Sequence, residues 1–256
     1  GFLGINGAGK STLLNIIATS FKPTEGTYHF DDINCVKNPI ALRKQLGYLP
    51  QHCGFIPELS VKDYLSYLSL LKGCDHTYLK KAIPHYLECF NLQDKIKEPI
   101  SRLSGGMKQR IGIIQAIITK PKILILDEPI IGLDPNERKN FNSIISGLSN
   151  NTIVLISSHI IEDIENLCEN VVLMNEGQVI FNGATEAILA SMNGKVHEKM
   201  ISRLAFEQMS DKSKIIRIKP MGASLNIRYI SENKEGAHPV YPSLEDAFIY
   251  KTKIAI

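Results

Sequence analysis

The sequence has no run of 18 or more apolar residues, so no segment of it reads as a membrane-spanning helix. It has no strong charge of one sign either. Its 29 Lys and Arg against 26 Asp and Glu leave a net charge of +3, too little to argue for nucleic acid or an anionic membrane surface as partner. The excess is uneven, with 11 basic and 7 acidic residues in 195–256, and reads as an ordinary solvated surface. The five cysteines, Cys35, Cys53, Cys74, Cys89 and Cys168, are odd in number and include no C-x-x-C pair. That excludes a disulfide framework and a thiolate metal spacing, and leaves small buried hydrophobes in a reducing compartment. No repeat, low-complexity tract or signal peptide is visible. Among 256 residues 44% are apolar, which excludes a disordered or collagen-like chain and suits one large domain with a small appendage. The opening Gly1-Phe2-Leu3 runs directly into a glycine-rich loop, and the chain reads as incomplete at its N-terminus.

Three textures follow one another. In residues 1–50 a helix begins at Lys10, carries Leu13, Leu14, Ile16 and Ile17, and is expected to end at Lys22-Pro23, with extended pieces at 26–30 and 47–49. Residues 52–120 read as mostly helical. Ser60 caps a helix bearing Val61, Tyr64, Leu65, Leu68 and Leu71 until Gly73; a second runs from Thr77 to Phe90 with Pro84 inside; a third runs from Gly105-Gly106 to Thr119. Tyr64, Tyr67 and the Leu/Ile stripes are expected in the core. Beyond 122, the short β-branched runs 123–126 and 153–156 read as strands covered on both faces, as in a parallel sheet. Between them Asp134-Pro135-Asn136-Glu137 is a helix start with cap, proline and acid in order. The runs 171–174 and 178–181 around Asn175-Glu176-Gly177 read as a hairpin, and strands are expected at 214–218 and 225–230 in the basic tail.

Gly4-Ile5-Asn6-Gly7-Ala8-Gly9-Lys10-Ser11-Thr12 fits G-x-x-x-x-G-K-[ST]. Glycines let such a loop wrap phosphates, its N–H groups converge on the anion, and the following helix adds its positive end. Lys10 would neutralise β- and γ-phosphates, and the Ser11 hydroxyl would ligate Mg²⁺. The apolar run 123–126 then ends in Asp127-Glu128-Pro129. Ligands of open α/β sheets sit at the carboxyl ends of strands, so both acids belong beside the phosphate loop. Asp127 suits Mg²⁺ and Glu128 suits activation of a water. Together the two motifs imply hydrolysis of a nucleoside triphosphate. A further segment, Leu103-Ser104-Gly105-Gly106-Met107-Lys108-Gln109-Arg110, is a second anion-ready helix start, and two such sites serve one nucleotide only if two chains meet head to tail.

That segment resembles the LSGGQ signature of ATP-binding cassette (ABC) ATPases, with Met107 where Gln is usual. In family order, Gln51 looks like the Q-loop glutamine, Gly132-Leu133-Asp134-Pro135 like the D-loop and His159 like the switch histidine. The resemblance covers residues 1 to about 190. It implies an α/β P-loop core with a mostly parallel sheet, an inserted helical subdomain at about 52–120 and an accessory extension. The ATPase domain would be 1–194 and the extension 195–256. It also implies ATP and Mg²⁺ as ligands. Asn6, Gly7, Ala8, Gly9, Lys10, Ser11 and Thr12 would hold nucleotide, with Ser104, Gly105, Gly106 and Asp134 acting across a dimer. Glu128, His159 and Gln51 would be catalytic, and Ser11, Gln51 and Asp127 would hold metal. Pro129-Ile130-Ile131 departs from the family's Pro-Thr-Ser/Ala, and the adenine-stacking aromatic would precede the chain; Tyr28 does not replace it.

Only about 90 residues separate Ser11 from Ser104, which excludes the long coiled-coil chromosome ATPases, and one phosphate loop excludes a tandem cassette within this sequence. A cassette served by a separate membrane permease, dimeric with ATP and lying on the cytoplasmic face of the membrane, fits best. No nucleic-acid partner is expected. Ser243-Leu244-Glu245-Asp246-Ala247-Phe248 resembles the closing segment of ABC-2-type exporter ATPases, which implies export. The alternative is a regulatory or sensor cassette uncoupled from transport. The transported molecule is not written in this sequence.

Overall fold

The computed structural model describes residues 1–148, 151–209, 212, 215–231 and 238–252. In chain order these form β1 (Phe2–Leu3), α1 (Lys10–Ile17), β2 (His29–Phe30), β3 (Ile33–Asn34), α2 (Pro39–Arg43) and β4 (Leu46–Leu49). The helices α3 (Val61–Leu71), α4 (His76–Cys89) and α5 (Gly105–Ile117) follow, then β5 (Ile123–Asp127), α6 (Pro135–Leu148), β6 (Ile153–Ser158) and α7 (Ile161–Leu167). The remainder is β7 (Asn170–Asn175), β8 (Gln178–Ala184), α8 (Thr185–Ala190), β9 (Val196–Ser202), α9 (Arg203–Glu207), β10 (Ile215–Met221), β11 (Ser224–Ile230), β12 (His238–Pro239) and α10 (Leu244–Thr252). Two compact units result. One joins Gly9–His159 to Phe2, and the other joins Ile160–Ile256 to Gly1 and Leu3–Ala8.

In the first unit β4, β5 and β6 run parallel, with Leu49 opposite Leu126 and Asp127 opposite Ser157. Every residue of β5 is buried, as a strand covered on both faces requires. α5 sits close on β4: a Cβ at Gly47 would run into the carbonyl oxygen of Ala116, and one at Gly112 would come 2.8 Å from Leu49 Cδ1. Helix starts follow the sequence. The Ser60 hydroxyl accepts from Asp63 N–H at 3.1 Å, and the Ser104 hydroxyl accepts from Met107 N–H at 3.3 Å. Helix ends do not. α1 stops at Ile17, well before Lys22-Pro23, because Thr19 turns to φ 60° and is gripped by Arg43, whose Nε donates to its hydroxyl at 2.7 Å. α5 stops at Ile117 rather than Thr119, with Lys120 at φ 49°. Non-glycine left-handed residues carry no composition signal. Tyr64 is buried as expected, but Tyr67 is exposed, and of the five free cysteines only Cys35 is fully buried.

In the second unit β7 and β8 form the expected hairpin, with Glu176 and Gly177 both at positive φ as a tight two-residue turn demands. The tail is a four-stranded antiparallel sheet in the order β10-β11-β9-β12, with β9 and β12 unforeseen; Lys214 lies outside the described residues. Its centre is ionic. Asp246, fully buried, accepts from Arg228 Nε at 2.9 Å and Nη2 at 2.5 Å, and from Ser243 N–H at 2.7 Å and hydroxyl at 2.9 Å. Burial alone would raise its pKa; the bonds from Arg228 and Ser243 outweigh that and hold it below the ordinary carboxylate range. The segment 243–248 is therefore first of all a lock between α10 and β11. The Asp246→Asn variant should lose about 2 kcal/mol or more, since one member of a buried pair is neutralised. At neutral pH wild type has that stabilisation in full and loses it as acid protonates Asp246, below the unfolded carboxyl's pKa of ~3.9. Thermal melts at pH 7 and pH 3 test this: the gap between the two proteins should narrow in acid.

Candidate functional site

The site in the first unit is built at the C-terminal ends of parallel strands. β5 delivers Asp127 and Glu128, β4 delivers Gln51 two residues past its end, and β6 delivers His159 one residue past its end. Asp127 is fully buried, and one of its oxygens, Oδ1, accepts a short hydrogen bond from the Ser157 hydroxyl. That same Ser157 oxygen accepts from Glu128 N–H at 3.0 Å. Glu128 adopts φ 53°, a conformation that costs a non-glycine residue free energy and persists where surrounding contacts dictate it. Its carboxylate is 8% exposed, and Oε2 accepts from His159 Nδ1 at 2.9 Å; the imidazole is 44% exposed. A carboxylate turned out of its strand and joined to a solvent-facing imidazole is a proton acceptor with a steadying partner.

Lys10 opens α1 and is only 6% exposed. Burial lowers its pKa, opposed by the charges of Glu128 and Asp127, so the ammonium lies in the field of both acids. Gly9, its N-cap, has φ 98°, and Gly7 has φ 83° with open space where a Cβ would stand. Asn6 and Gly7 are exposed, Ala8 is buried, and Ser11 and Thr12 lie in the first turn of α1. In the second unit the start of the same loop is fastened: a Cβ at Gly4 would lie 2.6 Å from Met174 O, and Gly177 N–H donates to Ala8 O at 3.1 Å. Glycines at positive φ, a buried ammonium and a helix start make a phosphate cradle. Ser11, Asp127 and the Gln51 amide offer only oxygen, the donor set of a hard divalent cation, so the residues fit Mg²⁺.

The signature segment and D-loop are neighbours in this unit. Ser104 and Gly105 are exposed at the start of α5, and a Cβ at Gly106 would sit 3.0 Å from Gly132 O. Asp134 Oδ1 accepts from the N–H groups of Asn136 and Glu137, both at 2.9 Å, and Glu137 Oε2 accepts in return from Asp134 N–H at 3.1 Å. The other Glu137 oxygen pairs with Arg110 Nη1 at 3.0 Å. In the variant Pro-Ile-Ile stretch Ile130 is buried and Ile131 exposed. Tyr28 donates to Ile16 O at 2.7 Å, a structural anchor.

Several supporting residues escaped sequence reading. The Tyr48 hydroxyl donates to Asn15 Oδ1 at 3.0 Å, and Asn15 Nδ2 donates to Ser11 O at 2.8 Å, bracing the first turn of α1 from β4. Burial, aided by the charge of Asp127, pushes the Tyr48 hydroxyl up to about 12. Ser157 is found only through the register of β5 on β6, and Gln109, although it lies in the signature segment, only through its bonds to the end of β5.

A loop of this sequence ending in Lys10 at a helix start, with that lysine in the field of two strand-end acids on a parallel sheet, defines a P-loop nucleotide-binding protein of the α/β class. Comparison narrows the class. Residues 1–131 match the ABC transporter family. The chain is 36% identical over 186 residues to YxlF of Bacillus subtilis (strain 168), an uncharacterized ABC transporter ATP-binding protein, covering 73% of this chain and 61% of YxlF. It is 33% identical over 193 residues to the ABC transporter ATP-binding protein NatA of the same organism, covering 75% and 78%. With the bacitracin transport ATP-binding protein BcrA of Bacillus licheniformis it shares 36% over 182 residues, covering 70% and 58%. Thus the chain spans about six tenths of the length of YxlF and BcrA. The solved ATP binding subunit of an ABC transporter superposes with TM-score 0.70 at 27% identity, covering 74% of this chain and 80% of that one. A dimeric post-hydrolysis state of the cassette MJ0796, bound to ADP and Pi, superposes at 0.66 and 25%, covering 72% and 83%. The chain belongs to the ABC transporter family, and its fold is that of an ATP-binding cassette.

Proposed function

We propose that this chain is the ATP-hydrolysing subunit of a membrane transporter, working on the cytoplasmic face of the membrane against a separate permease. The observation that carries the hydrolytic reading is Glu128, forced to φ 53° and hydrogen-bonded to His159 beside the buried Lys10. Asn6 to Thr12 wrap the phosphates, and Lys10 neutralises their charge. Ser11, Asp127 and Gln51 would hold Mg²⁺, which when bound would supply further neutralisation of phosphate charge. Glu128 takes a proton from the attacking water as the γ-phosphorus parts from the bridging oxygen, giving ADP and phosphate. His159 spends Nδ1 on Glu128, which leaves Nε2 for the γ-phosphate when the ring is protonated.

Ser104 to Gly106 and Asp134 act on the nucleotide of a second cassette, so two chains enclose two nucleotides. The dimeric cassette among the solved relatives supports this arrangement. A relative named for bacitracin transport supports coupling to a permease, and the likeness of 243–248 to ABC-2-type tails supports export. Light scattering on the full-length Glu128→Gln protein tests the shared site: a dimer should appear with Mg-ATP and be absent without it. A monomer that binds ATP would withdraw the shared-site mechanism.

A further inference from the structure

The helix α5 does more than present Ser104 to Gly106 at its start. One turn further along, Gln109 Nε2 donates to the carbonyl oxygen of Pro129 at 3.0 Å and to that of Glu128 at 3.4 Å. The amide thus holds the far side of the left-handed turn whose near side is held by Ser157, through its hydroxyl at 3.0 Å and its carbonyl oxygen at 3.3 Å from Glu128 N–H. A residue at φ 53° stays there only while such contacts outnumber its alternatives. The next residue, Arg110, binds the same helix to its other neighbours. Its Nη1 contacts Glu137 Oε1 at 3.0 Å and Phe90 O at 2.9 Å, and its Nε donates to Gly106 O at 3.4 Å.

We propose that Gln109 is a positioning residue for hydrolysis, and that α5 carries the engagement of Ser104 at its start to Glu128 of the same chain. This rests on the reading of Glu128 as the base. A helix rises about 1.5 Å per residue, so Ser104 and Gln109 lie about 7.5 Å apart along one rigid element. Displacing a catalytic group by about 1 Å can cost about a hundredfold in rate. Because the signature start faces the nucleotide of a second cassette, nucleotide held there would set the geometry of the base here. Each chain would then report on its partner's site to its own.

Gln109→Glu keeps the shape of the side chain but points an acceptor at two carbonyl oxygens; Gln109→Lys restores a donor. In steady-state ATP turnover by the full-length protein, Gln109→Glu should lower kcat about tenfold or more. Its KM for ATP should stay within about twofold and its melting temperature should fall only by the few degrees that two lost hydrogen bonds cost, while Gln109→Lys should recover most of kcat. Undiminished kcat in Gln109→Glu overturns the inference. So does a joint fall of kcat, ATP affinity and melting temperature in both variants, which would mark ordinary packing. Combining Gln109→Glu with Ser104→Ala tests the transmission: the losses in ln kcat should be less than additive, and strict additivity removes it. Glu128→Gln is the control that separates failures. Turnover surviving there sinks the base assignment; turnover lost there but kept in Gln109→Glu sinks only the positioning role.

Discussion

The Glu128→Gln variant is expected to lose ATP turnover by about a thousandfold, within the range a general base contributes, while still binding ATP. The substitution is nearly isosteric. It keeps the backbone contacts to Ser157 and Gln109 and can still meet His159 through its amide oxygen, so the turn at φ 53° has no reason to relax. What disappears is the carboxylate's negative charge and, with it, the capacity to take a proton from water. Phosphate release at saturating Mg-ATP measures the loss, and equilibrium binding of a fluorescent nucleotide measures what is retained. Turnover within tenfold of wild type would mean that another group accepts the proton, and Glu128 would fall back to a strained strand end.

Lys10→Ala should weaken nucleotide binding by about a hundredfold or more, the order found when a charge-stabilising donor is removed from a dry site. Burial lowers the Lys10 pKa while the charges of Glu128 and Asp127 favour its ammonium, so the substitution removes a desolvation cost and a compensating attraction together. The ATP-induced increase in melting temperature should vanish. The pH dependence has a definite sign. Nucleotide phosphates favour protonated Lys10, so affinity is full below the lysine's pKa in the free protein and falls as pH rises through it. That pKa lies below the usual 10.5, so the decline begins earlier in alkali than for an exposed lysine, and Lys10→Ala should lack it. Unchanged binding in Lys10→Ala would remove the phosphate loop from the mechanism.

The residues proposed to touch substrate are legible because the chemistry proposed for them forces a local pattern. A phosphate cradle needs glycines at Gly7 and Gly9 with a cation at the next helix start, and a buried β5 announces itself by an unbroken apolar run ending in acids. Asp134 was legible as a helix cap, because capping is written within four residues. The tail was only partly legible. Strands at 225–230 and a capped α10 were expected, but β9 has a mixed sequence, Val196–Ser202, and acquires its strand by pairing with β11 along its whole length and with β12 on its other edge.

The supporting contacts are of another kind. Arg228 and Asp246, Tyr48 and Asn15, Gln109 and Glu128 stand 18, 33 and 19 positions apart, and each pair exists only because separate elements pack at one place. The left-handed residues Thr19, Lys120 and Glu128 belong with them, since Thr, Lys and Glu have no preference for positive φ and each is held there by its surroundings. By itself, then, the sequence determined the family of this protein and the order of most of its elements, because motifs, caps and apolar runs are short-range interactions between neighbours along the chain. Only the tertiary structure decided which side chains hold the left-handed turn at Glu128 and where helices stop. Those outcomes depend on distances across the sheet, which local spacing does not encode.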